Sequence, residues 1–343
     1  MNLKKLSAHL GLSQTTVSRA LNGYPEVSER TRKRVLEAAA EFNYRPNPSA
    51  MRLATGRSKS IGLVLPTDDS YIPNPHFTEF LAGVGKVCGN HGYDIVISPV
   101  HDDASIDAYA KFANARQVDG VIISGPLLKD PRIHHLQNLG LPFVVHGREA
   151  EPTDEYVWLD VDNYGAFYKA AKLLLQLGHQ RIAVINGKKN MTFAHHRHQG
   201  FVDAIADSGG QVDHSIIHFG DMTDQDGYQS TQELLGGTDV PSAILCASVV
   251  SAVGSMRAIK EAGLTVGQDI SIIAFDDVLP VLTAEAQSPA ITTLRSSIRA
   301  AGKRVAEMLI AQINGGETAR SNELWPVDLI VLDSTGPFSR SAA

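Results

Sequence analysis

Four residues near the start of the chain carry the most legible chemistry. In "SQTTVSRALNG", Gln14, Thr15, Ser18 and Arg19 share one polar arc of a helix at about 100° per residue, and Thr16, Val17, Ala20 and Leu21 take the other. These side chains suit base edges. A Gln amide pairs bidentately with adenine, a guanidinium pairs with guanine, and a Ser or Thr hydroxyl serves either base or approaches thymine. Neighbouring lysines and backbone amides suit phosphates, which fix register without reading sequence.

The elements that must hold these residues follow from spacing. Leu3, Leu6 and Leu10 recur at helical intervals until Gly11 breaks the pattern. Ser13 is a good N-cap for a second helix over about 14–21, which Asn22-Gly23 ends. Ser28 caps a third, with Glu29 near its positive end, Arg30, Arg32, Lys33 and Arg34 in its first turns, and Val35, Leu36, Ala39 and Phe42 as its apolar stripe. Three short helices with a glycine turn between the first two form a helix-turn-helix unit, whose second helix fits the major groove. Asn22 and Tyr44, which border the unit, join Gln14 to Arg19 as expected DNA contacts.

Beyond Tyr44, "RPNPSAMRLATGRSKS" has Asn47 as a cap, Pro48 at a first helical position and Gly56 as a stop. A helix this short is marginal alone and would need DNA or a partner to form. Ala50 and Leu53 would share its face beside Arg52, as a minor-groove wedge requires. A plain flexible linker is the alternative, with Asn47, Ala50 and Leu53 then idle.

Charge agrees with a nucleic-acid partner. The whole chain of 343 residues carries a formal charge of -6, yet residues 1–60 hold eleven Lys/Arg against four Asp/Glu. A merely solvated basic face is the bland reading of the same numbers. No stretch reaches the roughly 18 to 20 apolar residues of a membrane span, and no apolar signal segment opens the chain, so a cytoplasmic protein without membrane contact is expected. Cys88 and Cys246 lack CxxC spacing and read as buried free thiols.

The length implies two or three domains. From Ser60 onward, β-rich runs (IGLVLP, YDIVISP, GVIISG, PFVVHG, then RIAVING, PSAILCA, ISIIAFD) alternate with amphipathic stretches, twice over. The expectation is an α/β region of two halves with parallel sheets, ligands lying in a cleft outside the carboxyl ends of the strands. At those ends stand Phe77, Ser124, His146, Arg148, Arg197, Ser248 and Asp276. Forked donors, a carboxylate and an aromatic ring together suit a sugar. No GxGxxG follows the first strand, no GxxxxGK[ST] or GxSxG occurs, and the motifs assemble no nucleophile, base and oxyanion set, so neither an enzyme nor a cofactor is expected. His195, His196 and His198 invite a metal, but Arg197 among them would repel a cation and no carboxylate or thiol completes a set nearby; no metal is expected.

"TTVSRALNG", "VSERTRKRVLEAAAEFNYRPN" and "RLATGRSKSIGLVLP", then "DNYGAF", "LLQLGHQRIAVING", "RHQGF", "GSMRAIKEAG", "ISIIAFDD" and "ITTLRSS", resemble the lactose/galactose repressor family of bacterial transcription regulators along essentially the whole chain. The resemblance implies a helix-turn-helix DNA-binding domain over residues 1–45, a hinge helix or linker over 46–59, and a two-lobed effector domain of the type I periplasmic-binding-protein kind over 60–343. Its first lobe would cover about 60–160 and 292–323, its second about 161–291 and 324–343. It also implies a homodimer, or a higher oligomer, on a pseudo-palindromic operator, released by a sugar, with Asp276, Arg197 and Phe77 matching effector positions. Apolar positions of "FTEFLAGVGKVCGNHG" and "VVSAVGSMRAIKEAG" would pair the subunits unless they form a core face. Two departures stand out: Ser248-Val249 replaces an Asn-Asp, and His146 replaces an Asp. "HGR" and "CAS" are most similar to family regulators of α-glucoside use. A purine-type corepressor is the runner-up, and a transport-type binding protein is disfavoured by the first sixty residues.

Overall fold

The computed structural model describes residues 1–44, 56–67, 75–100, 105–153, 155–315 and 321–338. The chain divides into two compact units, Met1–Lys59 and Ser60–Ala343.

In the first unit, α1 (Leu3–Leu10) starts where the Asn2 side chain accepts from the Lys5 N–H at 2.9 Å, and it stops at Gly11 with φ 64°. Helix α2 (Gln14–Leu21) is capped by Ser13, which accepts from Thr16 N at 3.0 Å, and α3 (Glu29–Glu41) by Ser28. Leu6, Leu10, Val17, Ala20, Val27, Val35, Ala38 and Ala39 form the core. Two expectations for α3 change. Leu36 is 49% exposed, and Ala38 takes the buried place beside Val35 and Ala39. Arg34 donates to the Leu10 carbonyl at 2.6 Å and Arg32 to that of Tyr24 at 2.9 Å, which ties α3 to the end of α1 and to the loop before it.

The second unit alternates strand and helix in the order β1 (Ser60–Pro66), α4 (Pro75–Asn90), β2 (Asp94–Val100), α5 (Ser105–Asn114), β3 (Gly120–Ser124), α6 (Pro131–Leu139), β4 (Phe143–His146) and β5 (Val157–Val161). There follow α7 (Asn163–Gln176), β6 (Ile182–Gly187), α8 (Thr192–Ala206), β7 (Ile217–Gly220), α9 (Asp224–Leu235), β8 (Ala243–Cys246), α10 (Val249–Glu261), β9 (Ser271–Asp276), β10 (Thr292–Arg295), α11 (Ile298–Ile313), β11 (Glu323–Trp325) and β12 (Asp328–Ile330). These strands make two sheets, β11-β5-β4-β3-β1-β2 and β12-β10-β9-β8-β6-β7. All pairings are parallel except β12 on β10. Near-continuous apolar strands such as β6 and β9 are buried throughout, as parallel strands covered on both faces must be.

The chain crosses between lobes after β5, after β10 and after β11. Both late boundaries therefore shift from the sequence expectation: Thr292–Arg295 pairs with β9 in the second sheet, and Trp325 pairs with β5 in the first. Backbone register decides this, which apolar patterning does not encode.

Helices α4 and α11 cover the first sheet at close range. A Cβ on Gly302 would stand 2.4 Å from the Phe80 carbonyl, and one on Gly83 2.2 Å from that of Arg299. Phe80, Val84, Val87 and Cys88 of α4 face this core, and Val249, Ala252 and Ile259 of α10 face that of the second lobe. The apolar positions expected to pair subunits are thus core faces.

Candidate DNA interface and effector cleft

Gln14, Thr15 and Arg19 are exposed on α2 and Ser18 is half-exposed. Asn22 turns back on the helix and donates to the Ser18 carbonyl at 2.8 Å, so its side chain fixes the end of α2 as well as bordering the arc. Tyr44 is half-buried against the helical core, and burial raises its phenol pKa. Asn47, Ala50 and Leu53 lie outside the described residues.

In the second unit, strand ends from both lobes converge as the parallel topology requires. Ser124 ends β3 and His146 ends β4, and their side chains meet at 3.2 Å. The His146 ring stacks on Phe80 with centroids 4.6 Å apart. Burial pushes the His146 imidazole down to about 4, against the pull of Asp277, so it is neutral near pH 7. Phe77, in the first turn of α4, is half-buried.

Arg197 is the centre of charge. It is 5% exposed, donates from Nε to Asn163 Oδ1 and from a terminal nitrogen to the Ala247 carbonyl, both at 2.8 Å, and lies 3.8 Å from the Phe275 ring centroid and 4.9 Å from that of Phe193. Burial lowers its pKa to about 10, offset by Asp277 and Asp160, so the guanidinium stays charged near neutral pH, held by dipoles and ring faces.

Arg148 also faces inward, but through a relay. Its Nε donates to Asp160 Oδ2 at 3.1 Å and its guanidinium lies over the Trp158 ring. Asp160 accepts from Asn163, which accepts from Arg197, so the relay passes from the strand that leaves the first lobe into the helix that opens the second.

The carboxylate that meets this set is Asp277. Burial alone would raise its pKa, but His76, Arg197 and His146 outweigh burial and hold it below the usual value. His76 Nδ1 stands 2.7 Å from Asp277 Oδ2, and its Nε2 is 3.2 Å from Ser248 Oγ. Asp276, the carboxylate expected from the sequence, has other partners: it accepts from Val278 N at 2.8 Å and Arg295 Nε at 3.0 Å, and Arg295 also bonds Glu285. Burial raises the Asp276 pKa and Arg295 opposes that. The reason is alternation: Asp276 is the last paired residue of β9, and Asp277 is the first beyond it. Both carboxylates stand at the carboxyl end of β9, and His76 was legible only as the neighbour of Phe77.

Ser248, His76 and Asp277 have the connectivity of a nucleophile, base and orienting acid. Ser248 is 0% exposed, its backbone is ordinary extended chain, and its oxygen already accepts from Val250 N at 3.0 Å as the cap of α10. That environment serves a bridge rather than an attacking hydroxyl.

The histidines of α8 diverge. His195 and His196 have centroids 5.9 Å apart, while His198 faces His214 and Phe219. Among the described residues no group of three His, Cys, Asp or Glu gathers in a metal-binding arrangement. Cys88 and Cys246 are buried and unpaired with each other, and burial pushes their thiols up to about 11 and about 12. No helix among the described residues is long and apolar enough to cross a membrane.

A three-helix unit of the helix-turn-helix kind on the same chain as a two-lobed α/β domain defines a DNA-binding regulator. Residues 7–47 match the family model for bacterial regulatory proteins of the lacI family, and residues 58–331 match that for periplasmic binding proteins and the sugar binding domain of the LacI family. The chain belongs to the LacI family of bacterial transcription regulators. It is 50% identical to the HTH-type transcriptional regulator AglR of Rhizobium meliloti (strain 1021), over 98% of this chain and 95% of that one. Its fold matches the lac repressor dimer bound to operator and the anti-inducer ONPF with a TM-score of 0.82, at 27% identity over 98% and 99% of the two chains. It matches a complex of the transcriptional regulator CelR with cellobiose with a TM-score of 0.72, at 27% identity over 97% and 99%.

Proposed function

We propose that this regulator is a repressor that holds a pseudo-palindromic operator as a homodimer and releases it when a sugar of the α-glucoside class enters the cleft. The likeness to AglR supports the choice of sugar class, and the lac repressor dimer supports the assembly. One observation carries the reading: the cleft sets a buried Arg197 near an ionised Asp277 and lines them with neutral His146, Ser124 and Ser248. Opposite charges already present favour a neutral ligand rich in hydroxyls over an anion or a cation. The effector contacts are then Arg197, Asp277, Ser124, His146 and Ser248 with Phe77 as a ring face, Arg148 acts through Asp160, and Asp276 supports the strand end. The protein works in the cytoplasm, where the operator is, and carries out no chemistry on its ligand.

A panel of mono- and disaccharides tested by thermal shift, with and without operator DNA, checks this, because selective stabilisation scales with affinity. α-Glucosides are expected to raise the melting temperature, and less so when operator is bound. A ligand that binds more tightly with operator present would make the small molecule a corepressor.

A further inference from the structure

We infer that His76 is a latch that holds the two lobes closed in the absence of effector, by occupying the groups a hydroxylated ligand would use. His76 belongs to α4, on the first lobe, whereas Asp277 and Ser248 follow strands β9 and β8 of the second. Both ring nitrogens are committed across the cleft, at 2.7 Å to the carboxylate and 3.2 Å to the hydroxyl. The contact is an ion-pair approach on one side and a hydrogen bond on the other: Nδ1 lies against the Asp277 carboxylate, Nε2 against the Ser248 hydroxyl, and the Ser248 oxygen also accepts from Val250 N. The His76 and Asp277 side chains keep only 14% and 19% of their surface exposed, so water screens the contact weakly.

The lobes also meet along a backbone seam, where Thr192 N donates to the Pro126 carbonyl at 3.1 Å and Leu128 N to that of Asn190 at 3.2 Å. Those bonds are independent of side-chain identity, whereas the His76 contact depends on this imidazole. It also lies beside the chain's path back to the first lobe, since the Asp277 carbonyl accepts from Ile298 N at the start of α11. A polyol that donates to Asp277 and accepts from Ser248 competes with His76 for both groups, so the arrangement that His76 holds is lost when effector enters. His76 thereby sets how much of the closed form exists before effector arrives.

The test measures lobe separation in the full chain by pulsed electron–electron spin resonance, with labels on Asn114→Cys and Ala206→Cys; native Cys88 and Cys246 are buried. With the labelled chain diluted into excess unlabelled chain, so that each dimer carries at most one labelled protomer, and His76 intact, one narrow distance is expected. His76→Ala should raise the population at longer distances roughly tenfold, the effect of losing one weakly screened contact to a carboxylate together with the hydroxyl bond. Ser248→Ala, which keeps the Asp277 bond, should give a smaller rise. His76→Gln, whose amide still donates to Asp277, should restore most of the narrow distance. A distribution unchanged in both His76→Ala and Ser248→Ala, or opened as far by His76→Gln as by His76→Ala, overturns the latch. Neither sugar nor DNA enters the measurement, so its outcome is separable from the identity of the effector.

Discussion

Arg19 stands exposed on the polar arc of α2, with its neighbours Val17 and Ala20 buried beneath it. Arg19→Ala is therefore expected to cost roughly 1–3 kcal/mol of specific operator binding, measured by fluorescence anisotropy, with a smaller loss on scrambled DNA. Equal losses on both would mean that Arg19 touches only phosphate. In the cleft, two adjacent carboxylates should separate cleanly. Asp277→Asn is expected to abolish sugar-induced release while repression persists, because it removes the charge facing Arg197 and His76. Asp276→Asn should keep the response and lower the melting temperature, since its partner is Arg295. His146 and His196 give a pH dependence. Burial brings both to about 4 in the folded chain from an ordinary 6.5, so the unfolded chain binds more protons between those values. Stability should fall as pH drops through that window, and His146→Asn should flatten the fall in melts taken from pH 7 to 4.

At the scale of elements, helix contacts are set by backbone approach. Gly302→Ala pushes a methyl against the Phe80 carbonyl, where the ideal distance is 2.4 Å, and α4 and α11 must separate. A loss of about 1–3 kcal/mol is expected, read from the shift of the urea midpoint. Gly89→Ala, near the end of α4 with nothing within 4 Å of its Cβ, should instead be neutral or gain up to roughly 1 kcal/mol. Comparable losses in both would show that helix propensity, not packing, governs the pair. The ends of α1, α2 and α3 were legible because caps are local: Ser13, Ser28 and Gly11 act within four residues of themselves. The place of β11 was not, because its partner β5 lies far back in the chain, and β10 stays beside its neighbour β9 instead of crossing to the first sheet.

For the whole molecule, the functional quantity is the coupling between operator and effector. If a sugar weakens operator affinity by a given factor, operator must weaken sugar affinity by the same factor. Titrating each ligand with the other saturating checks this; unequal factors at equilibrium would show that a third species, such as a change of oligomeric state, takes part. DNA affinity should also fall steeply with salt, in keeping with the concentration of Lys and Arg in residues 1–60.

The sequence alone determined that the chain is a helix-turn-helix regulator with an α/β domain of two lobes. Helix periodicity, capping and strand alternation are short-range properties, and Gln14, Thr15, Ser18 and Arg19 declare their face through them. Tertiary structure decided which side chains meet between the lobes. The charge of Asp277 rather than of Asp276 acts on Arg197, and His76 spans the lobes to Ser248 from 172 positions away, because side-chain direction at a strand end and contact across a cleft depend on how distant segments pack.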